Sequence, residues 1–164
     1  MTKIKLFLYI IFFFITASCG YQPIYSKKIN TNNNELLSIS VLNIKDRPGQ
    51  ILRNLLTNQL NPENKRVITK YRLSVEIFES RSDLGFRRDM SATRSDLENI
   101  AKYNLLDIKK GKVLIKEEIK SISSFDIVDS VYATNIAEKD ARKKNLQVIS
   151  DNIITNLVIY FKNN

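Results

Sequence analysis

The sequence predicts an α+β fold, a two-layer sandwich in the order β-α-β-β-β-α. Its sheet is four-stranded and mostly antiparallel, and two helices cover one face. Three observations carry this prediction. Tyr71, Leu73, Val75 and Ile77 alternate with Lys70, Arg72, Ser74 and Glu76, the pattern of a strand with one wet face. Two segments instead place apolar residues at three- and four-residue spacing, one following Pro48 and one reaching the C-terminal region. Asp107-Ile108-Lys109-Lys110-Gly111-Lys112 sits between two apolar-periodic runs and reads as a hairpin turn with glycine at its tip.

The elements follow in order. Leu37 to Ile44 reads as a first strand, with Ile39, Val41 and Leu37 on one face. Asp46-Arg47-Pro48-Gly49 breaks it, and proline in a first helical turn favours a helix running to about Leu60. Its buried stripe is Leu52, Leu55, Leu56, Gln59 and Leu60, and Asn61-Pro62 ends it. In the Tyr71 strand, Phe78 breaks the alternation, which predicts a bulge or twist there. Ser82-Asp83-Leu84-Gly85 reads as a turn, leading through Phe86-Arg87-Arg88-Asp89 to a strand with Leu97, Ala101, Tyr103 and Leu105 inward. The last strand spans Val113 to about Ile122, with Val113, Ile115 and Ile119 inward. A final helix from about Ala137 to Phe161 buries Ala141, Leu146, Ile149, Ile153, Leu157 and Tyr160 or Phe161. The other sheet face, with Arg72, Glu76, Lys116 and Lys120, stays polar.

The first residues have a different character. A basic start at Lys3 and Lys5, an apolar run from Leu6 to Ile15 and the small residues Thr16-Ala17-Ser18 make a secretory signal, too short to span a bilayer. Cys19 follows at once, as in a bacterial lipobox, with Thr16 where leucine is usual. Residues 1–18 are therefore expected to be removed, and Cys19 to carry diacylglycerol and an acylated amine that tether the chain to a membrane. Residues 19–36 read as lipidated N-terminus and tether, with Asn32-Asn33-Asn34 polar and aperiodic. Residues 37–164 read as a single domain.

Composition narrows the function. The chain carries 26 Lys and Arg against 17 Asp and Glu, a net charge of +9. Such a charge suits phosphate-bearing lipid or an acidic surface, whereas export leaves nucleic acid out. Cys19 is the one cysteine and there is no histidine, which removes the usual general base, the usual zinc ligand and every Ser-His or Cys-His nucleophile. Adjacent Glu117 and Glu118 on a strand face opposite sides and cannot share a substrate. No catalytic residue, metal or cofactor is expected, and an enzyme is not expected.

Several segments together resemble a known family. They are Cys19-Gly20-Tyr21-Gln22-Pro23-Ile24-Tyr25, Asp89-Met90-Ser91-Ala92-Thr93-Arg94, Ser124-Phe125-Asp126, Tyr132-Ala133-Thr134 and Glu138-Lys139-Asp140-Ala141-Arg142. With the element order, they make the whole mature chain resemble the LPS-assembly lipoprotein LptE. The resemblance implies an outer-membrane lipoprotein on the periplasmic face that plugs the LptD β-barrel and assists its assembly. The pair would then deliver lipopolysaccharide to the outer leaflet. Gly20 after the lipidated cysteine resembles lipoproteins sorted to the outer membrane. The alternative is a lipid-anchored periplasmic module that binds another lipid or a cell-wall fragment. Candidate contacts for lipid A phosphates are Arg87 and Arg88 at one turn, and Lys109, Lys110 and Lys112 at another. In an antiparallel meander these clusters fall at opposite ends of the sheet. The arginines are preferred, because a planar guanidinium matches two phosphate oxygens.

Overall fold

The computed structural model of the chain describes residues 33–86 and 92–163. The elements are α1 (Asn33–Leu37), β1 (Ile39–Val41), α2 (Asp46–Leu60), β2 (Tyr71–Phe86), β3 (Ala92–Asp107), β4 (Lys112–Asp126) and α3 (Val131–Asn163). The strands form one sheet in the order β1-β2-β3-β4. β1 runs parallel to β2, with Ile39 opposite Tyr71 and Val41 opposite Leu73. A parallel pair needs a crossover, and α2 supplies it. The three long strands form an antiparallel meander, in which Phe86 faces Ala92 at one end and Asp107 faces Lys112 at the other. The expected α+β sandwich is therefore the observed one.

One apolar cluster forms the main core. Leu52 and Leu56 of α2, Leu73, Leu105, and Leu146, Ile149, Ile153 and Leu157 of α3 are all fully buried there. Leu55 is half-buried against it. Gln59 lies on the expected stripe but turns its amide to α3, donating to Asp151 Oδ1 at 2.7 Å. The two helices thus meet each other as well as the sheet. A smaller cluster, Leu97, Phe125 and Ala141, lies toward the β2–β3 turn.

Several boundaries differ from the sequence prediction, each for a physical reason. Asn33–Leu37, assigned to the tether and the first strand, is a short helix closed by Ser38, whose amide and hydroxyl both donate to Glu35 O. The first strand shrinks to three residues, because only Ile39–Val41 find a partner on β2. No bulge occurs at Phe78, and the pairing runs unbroken from Ile77–Ala101 to Phe78–Ile100. Ser82 to Gly85 is not a turn but part of β2. Gly85 (φ +65°) bends the strand without ending it, and a Cβ there would lie 2.8 Å from Thr93 Oγ1. The bulge lies instead in β4. Leu105 faces Ile115 while Leu106 faces Val113, so Leu114 is the extra residue. Leu114 packs on the core, and Val113, expected inward, is exposed. α3 begins at Val131, before the expected start, where the Ser130 hydroxyl accepts from Ala133 N.

Leu73 and Ile153 share the main core with no solvent exposure. Truncating either to alanine should cost about 2–5 kcal/mol, because the cavity collapses only partly. Arg72→Ala on the wet face should stay within about 0.5 kcal/mol. Chemical denaturation of the three variants checks this, and equal losses would reject the register.

Candidate functional site

The strands are longer than the main core, and the remaining sheet needs another means of holding the helix. Facing α3 in this half are Glu79, Arg81 and Asp83 of β2, Ser95 and Asn99 of β3, and Ser121 and Ser123 of β4. Asn145 of α3 stands at their centre, fully buried with Asn99. Its amide nitrogen donates to Leu97 O at 2.8 Å and Asn99 Oδ1 at 3.0 Å. Its oxygen accepts from the hydroxyls of Ser121 at 3.0 Å and Ser123 at 2.7 Å. Every hydrogen-bonding position of this carboxamide is filled, which burial of an amide demands. Asn99 passes the chain on by donating to Glu79 Oε2 at 2.9 Å.

Charged groups continue this network toward solvent. Arg142 meets Glu79 with two nitrogens, Nε at 2.8 Å from Oε2 and Nη2 at 2.8 Å from Oε1, and Nη2 also reaches Glu138 at 2.8 Å. Arg81 joins Glu138 at 3.0 Å, Asp83 at 3.0 Å and Ser95 at 3.0 Å. Burial pushes the Glu79 carboxyl up, but hydrogen bonds from Arg142 and Asn99 and the Arg142 charge outweigh it and hold it below its ordinary value. A second joint lies nearer the main core. Tyr103 donates to Glu117 at 2.6 Å, and Asn156 of α3 donates to the same carboxylate oxygen at 2.7 Å. Burial, then the Glu117 hydrogen bond, push the Tyr103 hydroxyl far above its ordinary range. Its neighbour Glu118 points to the other face and pairs with Lys102, so the two carboxylates are separated as the strand period requires.

Among the described residues the opposite sheet face carries no helix. Lys102–Glu118 at 3.6 Å and Lys120–Glu98 are ion pairs across it. Ser74, Glu76, Lys102, Asn104, Lys116 and Glu118 line a shallow open groove of about 570 Å³. This face is less uniformly polar than the alternation predicts. Phe78 is 53% exposed and Ile122 52%, and Ile100 lies between them, paired with Phe78 and diagonal to Ile122. The Lys102 ammonium stands 5.6 Å above the Phe78 ring. The sequence did contain this signal, in the Phe78 that follows Ile77 out of phase, but it needed the register to show its neighbours.

Of the candidate site residues, Cys19, Arg87 and Arg88 lie outside the described residues. Lys109 and Lys110 occupy the exposed β3–β4 turn and Lys112 opens β4. Asp107 shapes this turn, accepting from Lys110 N at 2.9 Å through its side chain and from Gly111 N at 2.9 Å through its carbonyl. The three ammonium groups form no ion pair among the described residues. The Phe86–Ala92 and Asp107–Lys112 pairs stand at opposite ends of β3, as a meander requires. Among the described residues no group of His, Cys, Asp and Glu is arranged to hold a metal, and no helix is long and apolar enough to cross a membrane.

No family model matches this chain. It is 28% identical over 147 residues to the uncharacterized protein RP188 of Rickettsia prowazekii, covering 90% of this chain and 91% of that one. In structure it is similar to a candidate lipoprotein of Caulobacter crescentus CB15, with 25% identity, a TM-score of 0.65, and coverage of 80% of this chain and 95% of the other. The rare lipoprotein B of Shewanella oneidensis matches with a TM-score of 0.58 at 13% identity, over 76% and 95% of the two chains. A minor lipoprotein of Acinetobacter baumannii gives 0.60 at 14%, over 75% and 92%. The class defined in this way is an α+β fold shared with bacterial lipoproteins, over three quarters or more of this chain and nearly the whole length of the others.

The Arg142–Glu79 pair gives a pH test. A carboxyl held below its ordinary 4.5 in the folded state contributes stability that is complete above that value and lost as pH falls through the lowered native one. Arg142→Gln should cost about 1 kcal/mol at neutral pH, discounted because the pair is partly solvated. It should also flatten the acid limb of stability below 4.5. Denaturant titrations across that range check both, and parallel acid limbs in the two proteins would dismiss the pair.

Proposed function

We propose that this protein is an outer-membrane lipoprotein, anchored on the periplasmic face by an acylated Cys19, that serves a large β-barrel of the LptD type. Its role is to plug the barrel and assist its assembly, so that the pair delivers lipopolysaccharide to the outer leaflet. The observation that carries the reading is the match of a lipobox-bearing chain to a candidate lipoprotein structure over 95% of that structure's length. The segments that resemble LptE, from Cys19-Gly20-Tyr21 to Asp140-Ala141-Arg142, supply the particular role. A barrel lumen is lined by polar residues. The open sheet face, a mosaic of ion pairs and serines around Phe78 and Ile122, is chemically compatible with such a wall.

The lipid A phosphates are assigned to Arg87 and Arg88 rather than to Lys109, Lys110 and Lys112, on the geometry of the guanidinium group. Because the Phe86–Ala92 and Asp107–Lys112 pairs lie at opposite ends of β3, the reading takes one cluster, not both, to meet a single headgroup.

Purification from detergent extracts at native expression should bring down a large β-barrel in equal amount. Depletion should stop lipopolysaccharide from reaching the cell surface. Mass spectrometry of membrane-derived protein should show residues 1–18 absent and a diacylglyceryl mass on Cys19. A chain that purifies without a barrel, and whose loss leaves surface lipopolysaccharide unchanged, would favour a binding module for another lipid or cell-wall fragment. For the phosphate assignment, Arg87→Ala/Arg88→Ala should weaken lipopolysaccharide binding selectively. Equal small losses in that variant and in Lys109→Ala/Lys110→Ala would reduce the site to net charge.

A further inference from the structure

A cavity of about 200 Å³ is lined by β1, whose outer edge pairs with no strand among the described residues, and by the outer side of α2. Arg53, Thr57 and Asn61 follow one another at four-residue spacing along that side and line it, together with Lys65. The cations are not equivalent. Lys65 is balanced by Glu63 at 2.7 Å, and its loop is pinned by Asn61, which donates to Lys65 O and accepts from Lys65 N. Arg53 has no ion pair among the described residues. Its Nε is sealed from solvent and has no hydrogen-bond partner, and the Thr57 hydroxyl beside it donates to the Arg53 carbonyl instead. No carboxylate lines the cavity. A guanidinium N–H that has lost water without gaining an acceptor carries a desolvation cost, and a cation with no counter-ion beside a cavity without carboxylates favours an anionic occupant.

The other wall is a strand edge. Ser38 O accepts from Lys70 N and Tyr71 N, and Leu42 N donates to Leu73 O, so the even-numbered residues turn their backbone toward β2. By alternation Ile39 and Val41 direct their N–H and C=O outward, along the cavity. Leu37, Leu60 and Val67 supply apolar surface around it, and Val67 is 41% exposed. A free ladder edge, an apolar lining and one unpaired guanidinium together specify an occupant.

We propose that an extended segment of a partner protein adds to the outer edge of β1 and places the carboxylate of an acidic side chain on Arg53. The main chain of the segment would continue the sheet, flanking β-branched side chains would cover Leu37 and Val67, and the carboxylate would take two N–H donors of the guanidinium. This site shares no residue with the basic turns and stands whether or not the partner is a barrel.

The probe is the blocked tripeptide acetyl-Val-Glu-Val-amide and its Gln analogue, titrated into the full chain in dodecyl maltoside micelles and followed by amide-resolved NMR. The Glu peptide should shift residues 37–41, 53–61 and 65–69 saturably, and the Gln peptide should bind about tenfold more weakly, as loss of a charge-assisted pair predicts. Arg53→Gln should erase that preference while leaving resonances outside the cavity in place. If Arg53→Gln perturbs the fold, the Glu-against-Gln comparison on the natural chain still decides. No saturable shift, or equal binding of the two peptides, overturns the proposal. Saturable binding of inorganic phosphate at these residues without binding of the Glu peptide also overturns it, since the cavity would then be a phosphate site.

Discussion

The buried carboxamide of Asn145 is the constraint on which the long sheet depends. A sandwich of this size has apolar side chains enough to cover only part of three strands of 15 or 16 residues. Beyond Ile77 and Ala101 the helix-facing positions are mostly serine, asparagine and charged residues, with Leu97 and Phe125, packed with Ala141 of α3, as the apolar remainder. Burying such positions under a helix is unfavourable unless each polar atom finds a partner. Asn145 does this for β3 and β4 at once, and Asn99 with Glu79 extends the chain to β2 and back to α3 through Arg142. Slip one residue in register and these groups face water while their partners stay buried.

The same joint separates the functions of the two faces. With α3 fixed along β3 and β4, the opposite face carries no helix among the described residues, and Lys102–Glu118 and Lys120–Glu98 pair across its strands. Phe78, Ile100 and Ile122 are left as the apolar part of a wet surface. The β2–β3 end is carried well beyond the main core, on strands held by polar rather than apolar contacts. The surface offered by this face therefore does not depend on the core that folds the protein.

Much of this fold was legible in the sequence. Leu73, Val75 and the α3 stripe announced their burial by period alone, and Gly111 marked its turn. What failed were readings that depend on a partner strand. Val113 looked inward until the extra residue Leu114 reset the phase, and Ser82 to Gly85 looked like a turn because a bending glycine resembles a closing one. The polar joint was invisible for a similar reason. Asn99, Asn145, Ser121 and Ser123 are unremarkable one at a time and become a network only when the register sets them opposite each other. Of the candidate site, Cys19, Arg87 and Arg88 lie outside the described residues, and the lysine turn proved to be shaped by Asp107 and otherwise solvated. Arg53 gave no signal at all, since an arginine on a helix is usually paired or exposed.

Native-state hydrogen exchange on Asn145→Ala tests the dependence on this joint most directly. The variant should lose amide protection over residues 79–86 and 92–99 while residues 71–77 and 101–105 keep theirs, because the apolar core beneath them is untouched. Loss spread evenly over both halves of the sheet, or no loss at all, would contradict the account.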